Sequence, residues 1–127
     1  MRLVTLLLPV ETGAVPAARG SLDALRGRVS ESALEDARLM VSELVTNSLR
    51  HAGRSNRMIE LRADLDGSTL KIEVRDKGKG FQPTPRRVGD AADSGWGLFL
   101  VDQLADRWGA TTDGTTSVWF ELRLEPS

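Results

Sequence analysis

Between residues 58 and 76 apolar and polar side chains alternate with a period of two, once on each side of an Asp66-Gly67 pair. Ile59, Leu61, Ala63 and Leu65 share one face and Glu60, Arg62 and Asp64 the other, and Leu70, Ile72 and Val74 resume the pattern. This is a hairpin with a tight Asp-Gly turn and one apolar face. That face has to be covered, which excludes an isolated ribbon and calls for a second layer.

Helices supply the layer. Ser30 or Glu31 opens a long helix to about Ala52, with Ser30 as N-cap, Glu31 and Glu35 in its first turns and Gly53 as its stop. Leu34, Ala37, Val41, Leu44 and Ser48 form its apolar stripe. Upstream, Leu3 to Val10 reads as a buried strand, and Pro16 begins a helix carrying Leu22, Leu25 and Val29 through about residue 29. Downstream, Leu98, Val101, Leu104 and Ala105 define a short helix ending near Trp108-Gly109. A hairpin around Asp113-Gly114 and a strand through Val118, Phe120, Leu122 and Leu124 follow. The expected fold is α+β, a two-layer α/β sandwich whose mixed or mainly antiparallel sheet has helices on one face and a half-solvated opposite face.

The 127 residues suit one domain, residues 1–127. With 17 Lys+Arg against 18 Asp+Glu there is no basic excess, so a direct nucleic-acid partner is not expected. No cysteine is present, which excludes disulfides, thiolate nucleophiles and Cys-based zinc sites and fits the cytoplasm. Arg2 before an apolar run shares its order with a signal peptide, but the run passes directly into Glu11-Thr12-Gly13. Nothing approaches the length of a membrane span.

Three segments carry candidate chemistry. At 100° per residue, Glu43 and Asn47 project about 40° apart, on the edge of the long helix's apolar stripe beside Asp36 and Arg50. They are either a polar i,i+4 flank or a pair in which Asn47 offers an oxygen to Mg²⁺ while Glu43 acts as general base. Asp76 continues the inward phase of Leu70, Ile72 and Val74, so it is either a turn-capping residue or a buried carboxylate paired with a donor such as the exocyclic amine of adenine. Gly78 and Gly80 permit a tight backbone beside it. The stretch from Lys77 to about residue 95, with Pro83, Pro85, Arg86 and Arg87, has no periodicity and reads as a lid. Ser94-Gly95-Trp96-Gly97 then leads into the helix from Leu98, either as an ordinary capped start or as a place where unpaired N–H groups meet phosphate. His51, the single histidine, projects near the middle of the apolar stripe and reads as packed. Trp119 faces outward by strand phase, which leaves it either as packing or as an anchor that makes the open face a candidate dimer or partner surface.

In order and spacing, Glu43-x-x-x-Asn47, Asp76-x-Gly78-x-Gly80 and Gly95-x-Gly97 resemble the N box and glycine boxes of the GHKL ATPase superfamily. The phrase from Glu43 to Ala52 and the ending from Leu104 to Leu122 look most like actinobacterial members of the anti-sigma factor serine/threonine kinase family, relatives of RsbW and SpoIIAB. The resemblance implies a Bergerat fold binding ATP and Mg²⁺. It also implies Glu43 as base, Asn47 as Mg²⁺ ligand, Asp76 as adenine reader, and Gly78, Gly80, Gly95, Gly97 and Leu98 at the nucleotide. Thr116 matches the threonine that supports adenine recognition, with Thr115 as the register alternative. Such kinases phosphorylate a STAS anti-anti-sigma partner, sequester a sigma factor and are usually homodimers; a nucleotide-responsive binding protein without phosphotransfer is the alternative. The short lid and Trp96 inside the last glycine box depart from the pattern. No helix carrying a phosphoacceptor histidine precedes the domain, so the chain is expected to act in trans.

Overall fold

The alternating segments form the middle of a sheet. The computed structural model describes residues 1–11, 13–52, 58–76, 96–112 and 116–124. Its strands are β1 (Arg2–Pro9), β2 (Met58–Asp66), β3 (Thr69–Asp76), β4 (Arg107–Thr112) and β5 (Thr116–Arg123), in a five-stranded sheet of order β1-β2-β3-β5-β4. Every neighbouring pair is antiparallel. Helices α1 (Ala14–Ser21), α2 (Glu31–Ala52) and α3 (Trp96–Leu104) complete an α+β fold.

The core lies between sheet and helices. Ile59, Leu61, Ala63, Leu70 and Ile72 from the hairpin and Phe120 from β5 are fully buried, together with Leu34, Ala37, Met40, Val41 and Val45 of α2 and Val101 of α3. Gly67 takes a positive φ of 64°, which the hairpin turn requires and glycine accommodates without a Cβ clash. Ser30 caps α2: its hydroxyl oxygen accepts the Ala33 N–H at 3.0 Å. Ser48, assigned to the apolar stripe, is only half-buried, whereas Met40 and Val45, left out of it, are fully buried.

Several boundaries differ from expectation, α1 starting at Ala14 instead of Pro16 and β5 ending at Arg123 instead of Leu124 among them. Strand β1 runs from Arg2 to Pro9; at its start Met1 is pinned to Leu65, its amino group donating to the Leu65 carbonyl at 2.7 Å. The helix expected through about residue 29 ends at Ser21 and continues as a 3₁₀ turn over Leu22–Leu25. Arg26 is then extended and Gly27 takes a φ of 86°, which no helix accepts. Leu22 and Leu25 still reach the core, so the apolar spacing marked burial rather than helix. Helix α3 stops at Leu104 instead of Trp108-Gly109. There the Asp106 N–H donates to the Glu121 carbonyl at 2.9 Å, the Trp108 indole donates to Asp102 at 2.9 Å, and residues from Arg107 pair with β5.

The opposite face of the sheet is less solvated than expected. Glu60 is 8% exposed and Ser117 3%. Trp119 lies on this face, as its phase predicts, directly across from Gly109, and Lys71 Nζ sits 4.9 Å above its ring centre. Gly53, the 77–95 segment and Asp113-Gly114 lie outside the described residues, as does the side chain of His51. Among the described residues no helix is long and apolar enough to cross a membrane.

A Cβ on Gly109 would lie 2.8 Å from Cζ2 of Trp119, closer than van der Waals contact allows. Gly109→Ala should therefore lower the unfolding free energy in urea by about 1–3 kcal/mol. Adding Trp119→Val should recover part of the loss, and a Gly109→Ala variant as stable as the parent would show that the ring does not cover the glycine.

Candidate functional site

Strand β3 carries one carboxylate into the layer it otherwise fills with hydrocarbon. Leu70, Ile72, Val74 and Asp76 occupy alternate positions and all are buried, Asp76 at 4% exposure. Its register partners are Ile59 on β2 and Thr116 on β5. The inward phase read from the sequence is thus the observed one. Asp76 is the last residue of β3 and Thr116 the first of β5, so the pair closes the end of the sheet at which both strands terminate.

Helix α2 brings the second pair of side chains. Its helical neighbours are α1 with the 3₁₀ turn and α3. Arg38 identifies the flank toward the first, through ion pairs with Asp23 and, at 3.3 Å, with Glu35. At 100° per residue, Met40, Glu43 and Asn47 lie on the opposite flank, which leaves them toward α3. Met40 is fully buried there, while Glu43 and Asn47 are half-buried. One turn apart on one flank, their side chains emerge within about 5–6 Å of each other at Cβ. They border the core without being enclosed by it, as the sequence projection anticipates.

Helix α3 begins at Trp96, two residues earlier than expected. Gly97, expected before the helix, therefore lies in its first turn together with Leu98. N–H groups of a first turn have no intrahelical acceptor, so this end of α3 offers backbone donors and the positive end of the helix dipole. Leu98 is half-buried against the core. Gly78, Gly80, Gly95 and Thr115 lie outside the described residues.

The donors available suit a hard cation held only partly by protein. Among the described residues no group of three or more His, Asp or Glu side chains converges on one point. Mg²⁺ is commonly held by one or two protein oxygens with substrate phosphates and water completing its octahedron. The half-buried Asn47 amide, beside Glu43, is compatible with that kind of site.

One group escaped the sequence reading. On the open face, directly behind Asp76 and Thr116, Arg75 and Ser117 are paired across β3 and β5. The Ser117 hydroxyl donates to Glu73, Arg75 lies 3.6 Å from the same carboxylate, and Arg62 lies 3.2 Å from Glu60. Its signal was the mirrored Glu60-x-Arg62 and Glu73-x-Arg75, which period-two reasoning assigns to solvent.

Comparison with known proteins identifies the family. The family model described as a histidine kinase-like ATPase domain matches residues 8–122. Serine-protein kinase RsbW of Listeria innocua serovar 6a is 33% identical over 118 residues, covering 81% of this chain and 75% of the relative. RsbW of Listeria monocytogenes serotype 4b shows the same identity and coverage. RsbW of Staphylococcus epidermidis is 33% identical over 95 residues, covering 64% of this chain and 60% of the relative.

Proposed function

The chain belongs to the histidine kinase-like (GHKL) ATPase family, in its RsbW-type anti-sigma factor kinase branch, and on that footing we propose that it is an ATP-dependent serine/threonine protein kinase acting on a STAS anti-anti-sigma protein. The observation that carries the reading is the buried Asp76 paired in register with Thr116 at the sheet end, with Glu43 and Asn47 on the flank of α2 that faces α3.

In this proposal the Asp76 carboxylate accepts a hydrogen bond from the exocyclic amine of adenine, and Thr116 supports the same edge. A buried acceptor at a fixed register selects a donor and rejects a base lacking one, because an unpaired buried carboxylate is costly. The triphosphate extends toward the first turn of α3, where Gly97 and Leu98 leave backbone N–H groups free to bind it. The glycines Gly78, Gly80 and Gly95 are assigned to the same nucleotide. Mg²⁺, held by Asn47 and phosphate oxygens, would offset the charge of the transferring group.

Glu43 takes the proton. As the acceptor hydroxyl oxygen forms its bond to the γ-phosphorus and the bond to the β,γ-bridging oxygen breaks, the Glu43 carboxylate receives the hydroxyl hydrogen. The products are a phosphorylated Ser or Thr and ADP. The same proposal treats residues 1–127 as one ATP-binding domain, in the cytoplasm, that forms a homodimer and sequesters a sigma factor. A protein that binds nucleotide but transfers no phosphate is the alternative that experiment separates from it.

Incubating the chain with Mg-ATP and its candidate STAS partner should yield a phosphoserine or phosphothreonine by mass spectrometry; ATP binding without phosphopeptide would favour the binding-switch alternative. Glu43→Ala should reduce phosphotransfer by about 10²- to 10⁴-fold while retaining nucleotide affinity. Unchanged transfer would remove Glu43 from the role of base. At about 100-fold excess over Kd, ATP with Mg²⁺ should stabilise the fold by about 2.7 kcal/mol in thermal melts. EDTA should withdraw most of that gain, and a melt insensitive to nucleotide would exclude binding.

A further inference from the structure

The carboxylate assigned to adenine stands where a sheet is weakest. Asp76 and Thr116 form the end rung of the described β3–β5 ladder, and strand ends open more readily than strand centres. Something has to hold the rung closed.

Behind it, the open face carries a clamp. Arg75 and Ser117 form the next rung, and Glu60 on β2 is the register partner of Arg75 on the other side. Ser117 Oγ donates to the Glu73 carboxylate, a diagonal bond that ties β5 to β3, and the same carboxylate attracts Arg75 at 3.6 Å. Arg75 Nε finds no acceptor among the described residues, and Arg75 Nη2 lies 3.6 Å from the Glu73 carboxylate. Ser117 is 3% exposed, which keeps water from competing for the hydroxyl. The bond therefore ties the two strands one residue from Thr116 on β5 and three residues from Asp76 on β3.

We infer that Ser117 and Glu73 are positioning residues for nucleotide selection: from the face opposite the site, their hydrogen bond holds the Asp76–Thr116 rung in register. The inference rests on the reading of Asp76 as the adenine-facing carboxylate. It assigns a role in base selection to two side chains that never touch the nucleotide.

The discriminating measurement is the ratio of ATP to GTP affinity, obtained by calorimetric titration with Mg²⁺ present, beside the melting temperature of the free chain. Ser117→Ala should lower that ratio about three- to tenfold, a partly transmitted loss of one charge-assisted hydrogen bond, and Ser117→Thr should restore it. Glu73→Gln, which keeps an acceptor oxygen but not the charge, should fall between. Arg2→Ala, which breaks the exposed Arg2–Asp64 pair on β1 and β2, should leave the ratio unchanged. If Ser117→Ala lowers the melting temperature but not the ratio, the bond is merely structural and the inference is overturned. If Ser117→Ala does not fold, an unchanged ratio in Glu73→Gln overturns it equally. Asp76→Asn separates this failure from that of its premise: a ratio unaffected by Asp76→Asn would refute the adenine assignment and leave nothing to position.

Discussion

The register of β3 is the constraint on which the rest depends. This strand is hydrogen-bonded on both sides, to β2 and to β5, and its alternate residues Leu70, Ile72 and Val74 lie in the core. A slip of one residue would turn all three to the opposite face and bring Lys71, Glu73 and Arg75 inward. The hydrophobic effect therefore holds the register, with each buried side chain contributing on the order of 1.5–3 kcal/mol. Asp76 is carried inward by the same phase. Its burial is a consequence of hydrocarbon packed two, four and six residues away, which is how a sheet can maintain a costly polar group at a site.

The two faces of the sheet solve different problems. The helix-covered face is apolar until Asp76, whereas the open face balances charge: Glu60 with Arg62, Glu73 with Arg75, and Lys71 over the Trp119 ring. Opposite signs alternate along β2 and β3 and also across them, since Glu60 pairs with Arg75 and Arg62 with Glu73. Like charges directly opposite would push the strands apart; this arrangement avoids them. At the β4 edge Trp119 lies across Gly109, so the indole covers the backbone of a residue that has no side chain of its own to do so.

Much of the candidate site was legible because it obeys local periodicity. Asp76 lies in the phase that its strand predicts, and Glu43 and Asn47 lie on the helix flank that their projection predicts. The open-face cluster was not legible. Glu60 and Ser117 are buried by neighbours from other strands, and no property of β2 or β5 alone says that a polar residue on the open face will be covered. The start of α3 also depended on its surroundings. A glycine pair reads as a turn, yet a first turn tolerates Gly97 because its N–H groups need no intrahelical partner in any case.

The sequence by itself determined the hairpin, the long capped helix, the apolar spacing that fills the core and the family to which the chain belongs, because these rest on period, caps and motif order within short stretches. Tertiary structure alone decided where α1 and α3 stop and which strands become neighbours. Leu22 and Leu25 reach the core from a 3₁₀ turn, since burial asks only that a side chain arrive and not which helix delivers it. Trp108 belongs to a strand because β5 offers it a ladder and Asp102 accepts its indole N–H. The juxtaposition of Asp76 with Thr116, 40 residues apart in the chain, exists only once β5 has paired with β3. Non-local hydrogen bonding creates that rung, and local preference cannot specify it.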